Sequence, residues 1–149
     1  MRKIRVALVE NHDLTREGIL RALWRVSEIE VVGMATNATE GLLMLLTSQP
    51  DVAIVDIGLS NQDGIELTRQ LKASQKAGKG LQTKVLILTL RDDKKTVEAA
   101  LDAGVDSYCM KNISLDKLLE ALRVTVRGDA WIDPEIAALL RGQPNYDQN

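Results

Sequence analysis

One cysteine, Cys109, is the only thiol in this chain, so no internal disulfide can form, and a reducing compartment suits it. Aromatic residues are scarce, at 3% with no phenylalanine, and nothing marks a flavin phosphate loop, so a flavin module is disfavoured. Acidic and basic side chains almost cancel, leaving a net charge of −2. That balance gives no basic footprint for nucleic acid and no polybasic patch for an anionic membrane. No apolar run approaches a membrane span, the Leu42–Leu46 stretch included. The strand-like run after Met1-Arg2-Lys3 is too short for a signal-peptide core, so a cytoplasmic location without membrane contact is expected. Internal repeats and low-complexity segments are also missing.

What is there suits one globular domain. The 149 residues, 45% hydrophobic and 27% charged, are enough for one domain and short for two. A chain of this size buries about two-thirds of its unfolded surface, so a core needs no covalent staple.

Five short apolar runs alternate with helical patterns. They are Ile4–Val9, Ile29–Ala35, Val52–Asp56, Val85–Leu88 and Ser107–Met110. Runs apolar on both faces are those of strands covered on both sides, as in a parallel sheet. The segments between them carry helix signals. Asn37 with Glu40 makes a capping box ahead of Leu42, Leu43, Leu45 and Leu46, and Asp63 with Glu66 repeats it ahead of Ile65, Leu67 and Leu71. Gly104 stops the stripe of Val97, Ala100 and Leu101. Ser114 caps the stripe of Leu115, Leu118, Leu119, Leu122 and Val126, and Gly128 ends it. The first helix is expected from about Asp13 to Val26, and the Lys-, Gly- and Gln-rich stretch Ser74–Thr83 as an exposed loop. Asp133, Pro134 and the Ile136, Leu139, Leu140 face predict a short helix in the tail, with fraying from Gly142 onward. The strand–helix alternation implies right-handed crossovers and a doubly wound parallel α/β sheet, with residues 1–128 as the domain and 129–149 as a tail beginning a linker.

Ligands of such sheets sit beyond the carboxyl ends of the strands. The residues there are Glu10 and Asn11 after the first strand, Asp56 after the third, Thr89 after the fourth and Lys111 after the fifth. A carboxylate can act as a nucleophile toward phosphorus. The transferred group then needs a cation and polar donors for its equatorial oxygens. Asp56, Glu10 and the Asn11 oxygen suit Mg²⁺, which keeps several waters. Lys111 and Thr89 suit the phosphoryl oxygens.

At these positions the chain resembles the response-regulator receiver domain, through VALVENHD (residues 6–13), VAIVDIGLSNQDG (52–64), VLILT (85–89) and AGVDSYCMK (103–111). His12, the SYCMK run and the tail DAWIDP (129–134) resemble the NarL/FixJ-type subgroup. The resemblance implies a flavodoxin-like fold, a five-stranded parallel sheet in the order 2-1-3-4-5, and a two-component signalling switch rather than an enzyme. Asp56 is then the phosphoacceptor for a histidine kinase. Glu10, Asn11, Asp56 and the backbone carbonyl of Gly58 are the Mg²⁺ ligands. Lys111 and Thr89 contact the phosphoryl group, and Tyr108 is the coupled switch aromatic. DNA is expected to be met only through an output domain, which in that subgroup usually comes after the receiver. A homodimer is a further option, through the face of the fourth helix, fifth strand and fifth helix or through the Leu-rich last helices.

Three departures stand out. Asn11 replaces the usual metal-binding Asp, Ser60 replaces a usual Pro, and Asn112 follows Lys111 where many members have Pro. The first predicts weaker metal binding and supports the alternative of a pseudo-receiver that works without phosphorylation. A phosphohydrolase resembling the haloacid dehalogenase family needs a second Asp where Gly58 stands, so it ranks low. Bland roles compete for each residue: Asp56 as a turn cap, Thr89 as a β-former, Tyr108 as a packing residue, His12 as a loop histidine, and Cys109 as a buried inert thiol.

Overall fold

Five strands and six helices alternate in a computed structural model that describes residues 2–58, 63–78 and 82–142. In chain order they are β1 (Ile4–Val9), α1 (Asp13–Trp24), β2 (Ile29–Ala35), α2 (Ala38–Ser48), β3 (Val52–Val55), α3 (Gly64–Ala77), β4 (Lys84–Thr89), α4 (Lys94–Asp102), β5 (Ser107–Met110), α5 (Leu115–Val126) and α6 (Pro134–Leu140). The strands form one parallel sheet in the order β2-β1-β3-β4-β5. This is the flavodoxin-like order expected from the sequence.

The centre of the sheet is apolar on both faces because helices cover both. Val6, Leu8, Ile54, Leu86 and Cys109 pack with Leu20, Leu23, Leu118 and Leu122 of α1 and α5. Ala7, Val9, Val55, Ile87 and Tyr108 pack with Leu45, Leu67, Leu71, Val97 and Ala100 of α2, α3 and α4. Burial of this kind contributes about 25 cal/mol per Å² of apolar surface, and it holds the strand ends in register.

Each helix begins on a residue chosen for its side-chain acceptor. The side chains of Asn37, Asp63, Asp93, Ser114 and Asp133 each accept from a backbone N–H in the first turn of their helix. His12 does the same for α1, through Nδ1, which accepts from Thr15 N–H at 3.3 Å. Gly104 and Gly128 stop α4 and α5 at φ +105° and +96°, where a side chain is disfavoured.

Three readings change. Residues 74–77 are helical, as the end of α3, not an exposed loop. Nothing there breaks a helix, and Gln75 exchanges side-chain hydrogen bonds with the backbone of Thr83, tying the last turn to the sheet. Lys79 and Ser60 fall outside the described residues, as does the tail beyond Gly142. Second, Leu43 and Leu46 are exposed, because the face of α2 that meets the sheet is filled by Ala38, Gly41 and Leu45. Third, the tail is more than a short helix leading into a linker. Tyr108 N–H donates to the Trp131 carbonyl and Asp133 N–H to the Tyr108 carbonyl, both at 3.0 Å, so Ile132 bridges β5 in parallel. Beyond it, Ile136 is buried against the α4 face.

Candidate functional site

Three charged side chains meet at the carboxyl end of the sheet. Lys111 follows β5, and its Nζ lies 2.9 Å from Glu10 Oε1 and 3.3 Å from Asp56 Oδ2. Glu10 and Asp56 follow β1 and β3, which are neighbours, so parallel pairing sets their side chains beside each other. Backbone bonds fix all three residues: Glu10 N–H donates to Ala35 O, Asp56 N–H to Val9 O, and Lys111 N–H to Thr89 O.

The second oxygen of each carboxylate is held as well. Glu10 Oε2 accepts from His12 N–H at 3.0 Å, and Asp56 Oδ1 accepts from Gly58 N–H at 3.3 Å. Glu10 is 1% exposed, and burial is the main cause that lifts its carboxyl above the ordinary value. The neighbouring Asp56 charge adds to that rise, while the bonds from His12 and Lys111 oppose it. Burial pulls the Lys111 ammonium down, but its bond to Glu10 and the charges of Asp56 and Glu10 outweigh this, so its pKa is raised. Lys111 therefore stays a cation between two carboxylates.

Thr89 ends β4, buried, and its Oγ1 accepts from Arg91 N–H at 3.2 Å. Tyr108 is wholly buried, and its hydroxyl donates to the Arg91 carbonyl at 2.5 Å. Burial pushes this phenol up to about 12. One residue thus links the threonine and the tyrosine through its two backbone groups. Its guanidinium reaches Asp93 and Thr96 at the start of α4. Asn11 is exposed at the rim, and so is Gly58. His12 serves as a helix cap and Cys109 as a buried thiol pushed up to about 12, chiefly by burial.

The sequence reading missed three residues here. Arg91 is one. Arg16 is the second: its Nη1 donates to the carbonyl of Glu10 at 3.1 Å and contacts that of Asn11 at 3.5 Å, bracing the turn after β1. Gly64 is the third. A Cβ there would stand 2.3 Å from the Asp56 carbonyl oxygen, so only glycine lets α3 begin so close behind Asp56. The Asp63-Gly64 pair was the available signal.

The donors available to a cation are all oxygens: the carboxylates of Glu10 and Asp56, the Asn11 carboxamide and the Gly58 carbonyl. Among the described residues no group of three His, Cys, Asp or Glu gathers as a metal cluster. Two carboxylates with lone pairs to spare still suit Mg²⁺, which uses one or two and keeps water.

The model of the response regulator receiver domain matches residues 6–123, and those residues contain every strand end described above. The chain belongs to the response regulator receiver family. Response regulator protein VraR of Staphylococcus aureus is 36% identical over 140 residues, which is 94% of this chain and 65% of VraR. The chain thus spans less than two-thirds of the length of that relative. The signal receiver domain of the putative response regulator NarL from Mycobacterium tuberculosis is 27% identical, with a TM-score of 0.80 over 86% of this chain and 99% of that one. A LuxR-family two-component response regulator from Aurantimonas sp. SI85-9A1 is 28% identical, with a TM-score of 0.82 over 91% and 93%. These likenesses support the NarL/FixJ-type subgroup for this receiver. Receivers of this family are signalling modules of two-component systems. No helix among the described residues is long and apolar enough to cross a membrane.

Proposed function

We propose that this receiver is switched by transfer of a phosphoryl group from a histidine kinase to Asp56, in the cytoplasm and without turnover of a substrate as an enzyme. The observation that carries the reading is the Lys111 ammonium shared by Glu10 and Asp56. An Asp56 carboxylate oxygen attacks phosphorus, the bond from phosphorus to the kinase histidine breaks, and the imidazole nitrogen keeps the electron pair and takes up a proton. Lys111 holds the incoming group by charge. Thr89 turns its hydroxyl from Arg91 toward the phosphoryl oxygens, which frees the Arg91 loop and, through it, Tyr108. Glu10, Asp56, the Asn11 oxygen and the Gly58 carbonyl would hold Mg²⁺, which when bound neutralises charge on the phosphoryl oxygens. Residues 1–128 form the switching unit. The tail from 129 onward packs back through Ile132 and Ile136 and then begins a linker, and DNA is met only through an output domain, not through the receiver. The test is intact mass after incubation with Mg²⁺ and acetyl phosphate. One phosphoryl group is expected on the natural chain and none on Asp56→Asn, and a gain on the variant would refute the assignment.

Asn11 favours a second reading, a pseudo-receiver that works in part without phosphate. A carboxamide keeps the shape and one acceptor of aspartate but removes its charge beside a hard cation. The loss is on the order of 1–3 kcal/mol, or roughly tenfold to a hundredfold in Mg²⁺ affinity. Asn11→Asp should therefore tighten Mg²⁺ and speed phosphoryl uptake. Equal affinities in paired titrations would make this an ordinary receiver.

A further inference from the structure

The edge strand β5 carries a tyrosine with no exposed surface. Tyr108 is 0% exposed, although β5 pairs with a full strand on one side only, that of β4. The tail covers the other side. It grips the tyrosine by both backbone groups: the Tyr108 N–H donates to the Trp131 carbonyl and the Asp133 N–H to the Tyr108 carbonyl, each at 3.0 Å. Beside them, the Trp131 N–H donates to Ser107 Oγ. Ile136, 1% exposed, belongs to the same buried cluster as Tyr108, Val97 and Ala100. The residues that lead into this segment, Arg127 to Ala130, are all exposed, with Gly128 at φ +96°. A solvated hinge thus stands behind the docked segment. The α6 helix has seven residues, too few to stay helical alone in water, so its order depends on docking.

The other end of the tyrosine leads to the site around Asp56. Its hydroxyl donates to the Arg91 carbonyl at 2.5 Å, and the Arg91 N–H donates to Thr89 Oγ1 at 3.2 Å. One hydroxyl oxygen therefore has two claimants. A phosphoryl group on Asp56 draws Thr89 Oγ1 away from Arg91, and the loop that carries the Arg91 carbonyl loses a tie to β4. The Tyr108 ring is held at its tip by that carbonyl and at its base by the tail. A rigid ring passes a shift at one end to the other. The loop position favoured by the phosphoryl group and the backbone position favoured by the tail then compete.

We propose that residues 131–136 are a latch on Tyr108, so that docking of the tail and a phosphoryl group on Asp56 oppose one another. This rests on Asp56 as the phosphoacceptor. The coupling is reciprocal: whatever the phosphoryl group costs the docked tail, the docked tail costs the phosphoryl group. The balance of the switch is then set in part by residues that touch neither Asp56 nor the oxygens offered to a metal. Phosphorylation bares the outer edge of β5 and frees α6 at the hinge.

Beryllofluoride with Mg²⁺, a reversible mimic of an aspartyl phosphate, tests both directions of the coupling on the full chain. In the natural chain the Tyr108 and Asp133 N–H groups should lose about fivefold or more of their protection from amide exchange when the mimic binds. The N–H of Ile54, in the centre of the sheet, should not change. Ile136→Ala should bind the mimic about fivefold tighter or more, although it removes buried contacts. A tail with only a structural role would leave that affinity unchanged or weaken it. Leu43→Ala, at an exposed position on α2, should leave it unchanged. Equal or greater protection at Tyr108 and Asp133 overturns the latch, as does equal or weaker binding by Ile136→Ala or tighter binding by Leu43→Ala. Should Ile136→Ala fail to fold by circular dichroism, exchange on the natural chain decides alone. A natural chain that takes no mimic, or an Asp56→Asn chain that takes it equally well, refutes the phosphoacceptor reading, and the latch falls with it. Binding at Asp56 without these changes refutes the latch alone.

Discussion

At the β5 edge the chain doubles back on itself: Ile132 bridges Tyr108, Trp131 N–H donates to Ser107 Oγ at 3.0 Å, and Ile136 closes over the α4 face. At the β2 edge no segment among the described residues adds to the sheet, and apolar side chains stand in the open. The difference shows how one fold separates its two borders. The border beside Tyr108 is built into the core, so a movement of that ring is felt by the tail. Among the described residues the border farthest from it leaves Trp24, Met34 and Leu43 exposed. The α4–β5–α5 face offered by the sequence as a dimer surface is thus partly occupied by the chain's own tail.

The contrast can be broken by equal deletions on the two sides. Ile136→Ala should cost about 2–4 kcal/mol in urea unfolding, because it empties a site only 1% exposed. Leu43→Ala should cost less than about 0.5 kcal/mol, as surface changes do. Similar losses at both would end the comparison. Ser107→Ala sharpens it next. The buried Ser107 Oγ joins Thr125 Oγ1 at 2.6 Å and accepts from Trp131 N–H, so its removal should cost about 1–2 kcal/mol and loosen the tail in amide exchange. Trp131→Phe keeps the ring but loses the Nε1–H bond to Glu120 Oε2, which is exposed, so about 0.5 kcal/mol or less is expected. The smallest effect is one of pH. Hydrogen bonding from Thr96 lowers the Asp93 carboxyl from 3.8 to about 2. A lowered pKa stabilises the fold above 3.8, and that support is lost as pH falls toward 2. Amide exchange in the first turn of α4 should rise over that window, with no matching change in α2.

Much of the fold was legible because strands covered on both faces show as unbroken apolar runs, and because the caps Asn37, Asp63 and Ser114 stand where the runs change period. The strand-end residues were legible for the same reason: once the strands are placed, so are Glu10, Asp56 and Lys111 just beyond them. The bridge from Ile132 to Tyr108 was hidden, since it depends on backbone bonds between segments that no side-chain pattern records. Arg16 and Arg91 were hidden for a related reason. Their guanidinium and backbone groups act on carbonyls, hydroxyls and a neighbouring carboxylate that carry no periodicity. Leu43 looked like core because four leucines in five positions read as one stripe, although a helix can turn only part of them to a sheet.

The sequence holds two tryptophans, one on each border. Trp24 stands largely in water, whereas Trp131 is partly covered and bonded to α5. Each indole is thus an optical reporter of its own edge. With Trp131→Phe, the remaining emission reads the surroundings of β2. With Trp24→Phe, it reads the tail beside Tyr108. A single ultraviolet excitation can then follow either border alone, without attaching a dye and without touching Glu10, Asp56 or Lys111.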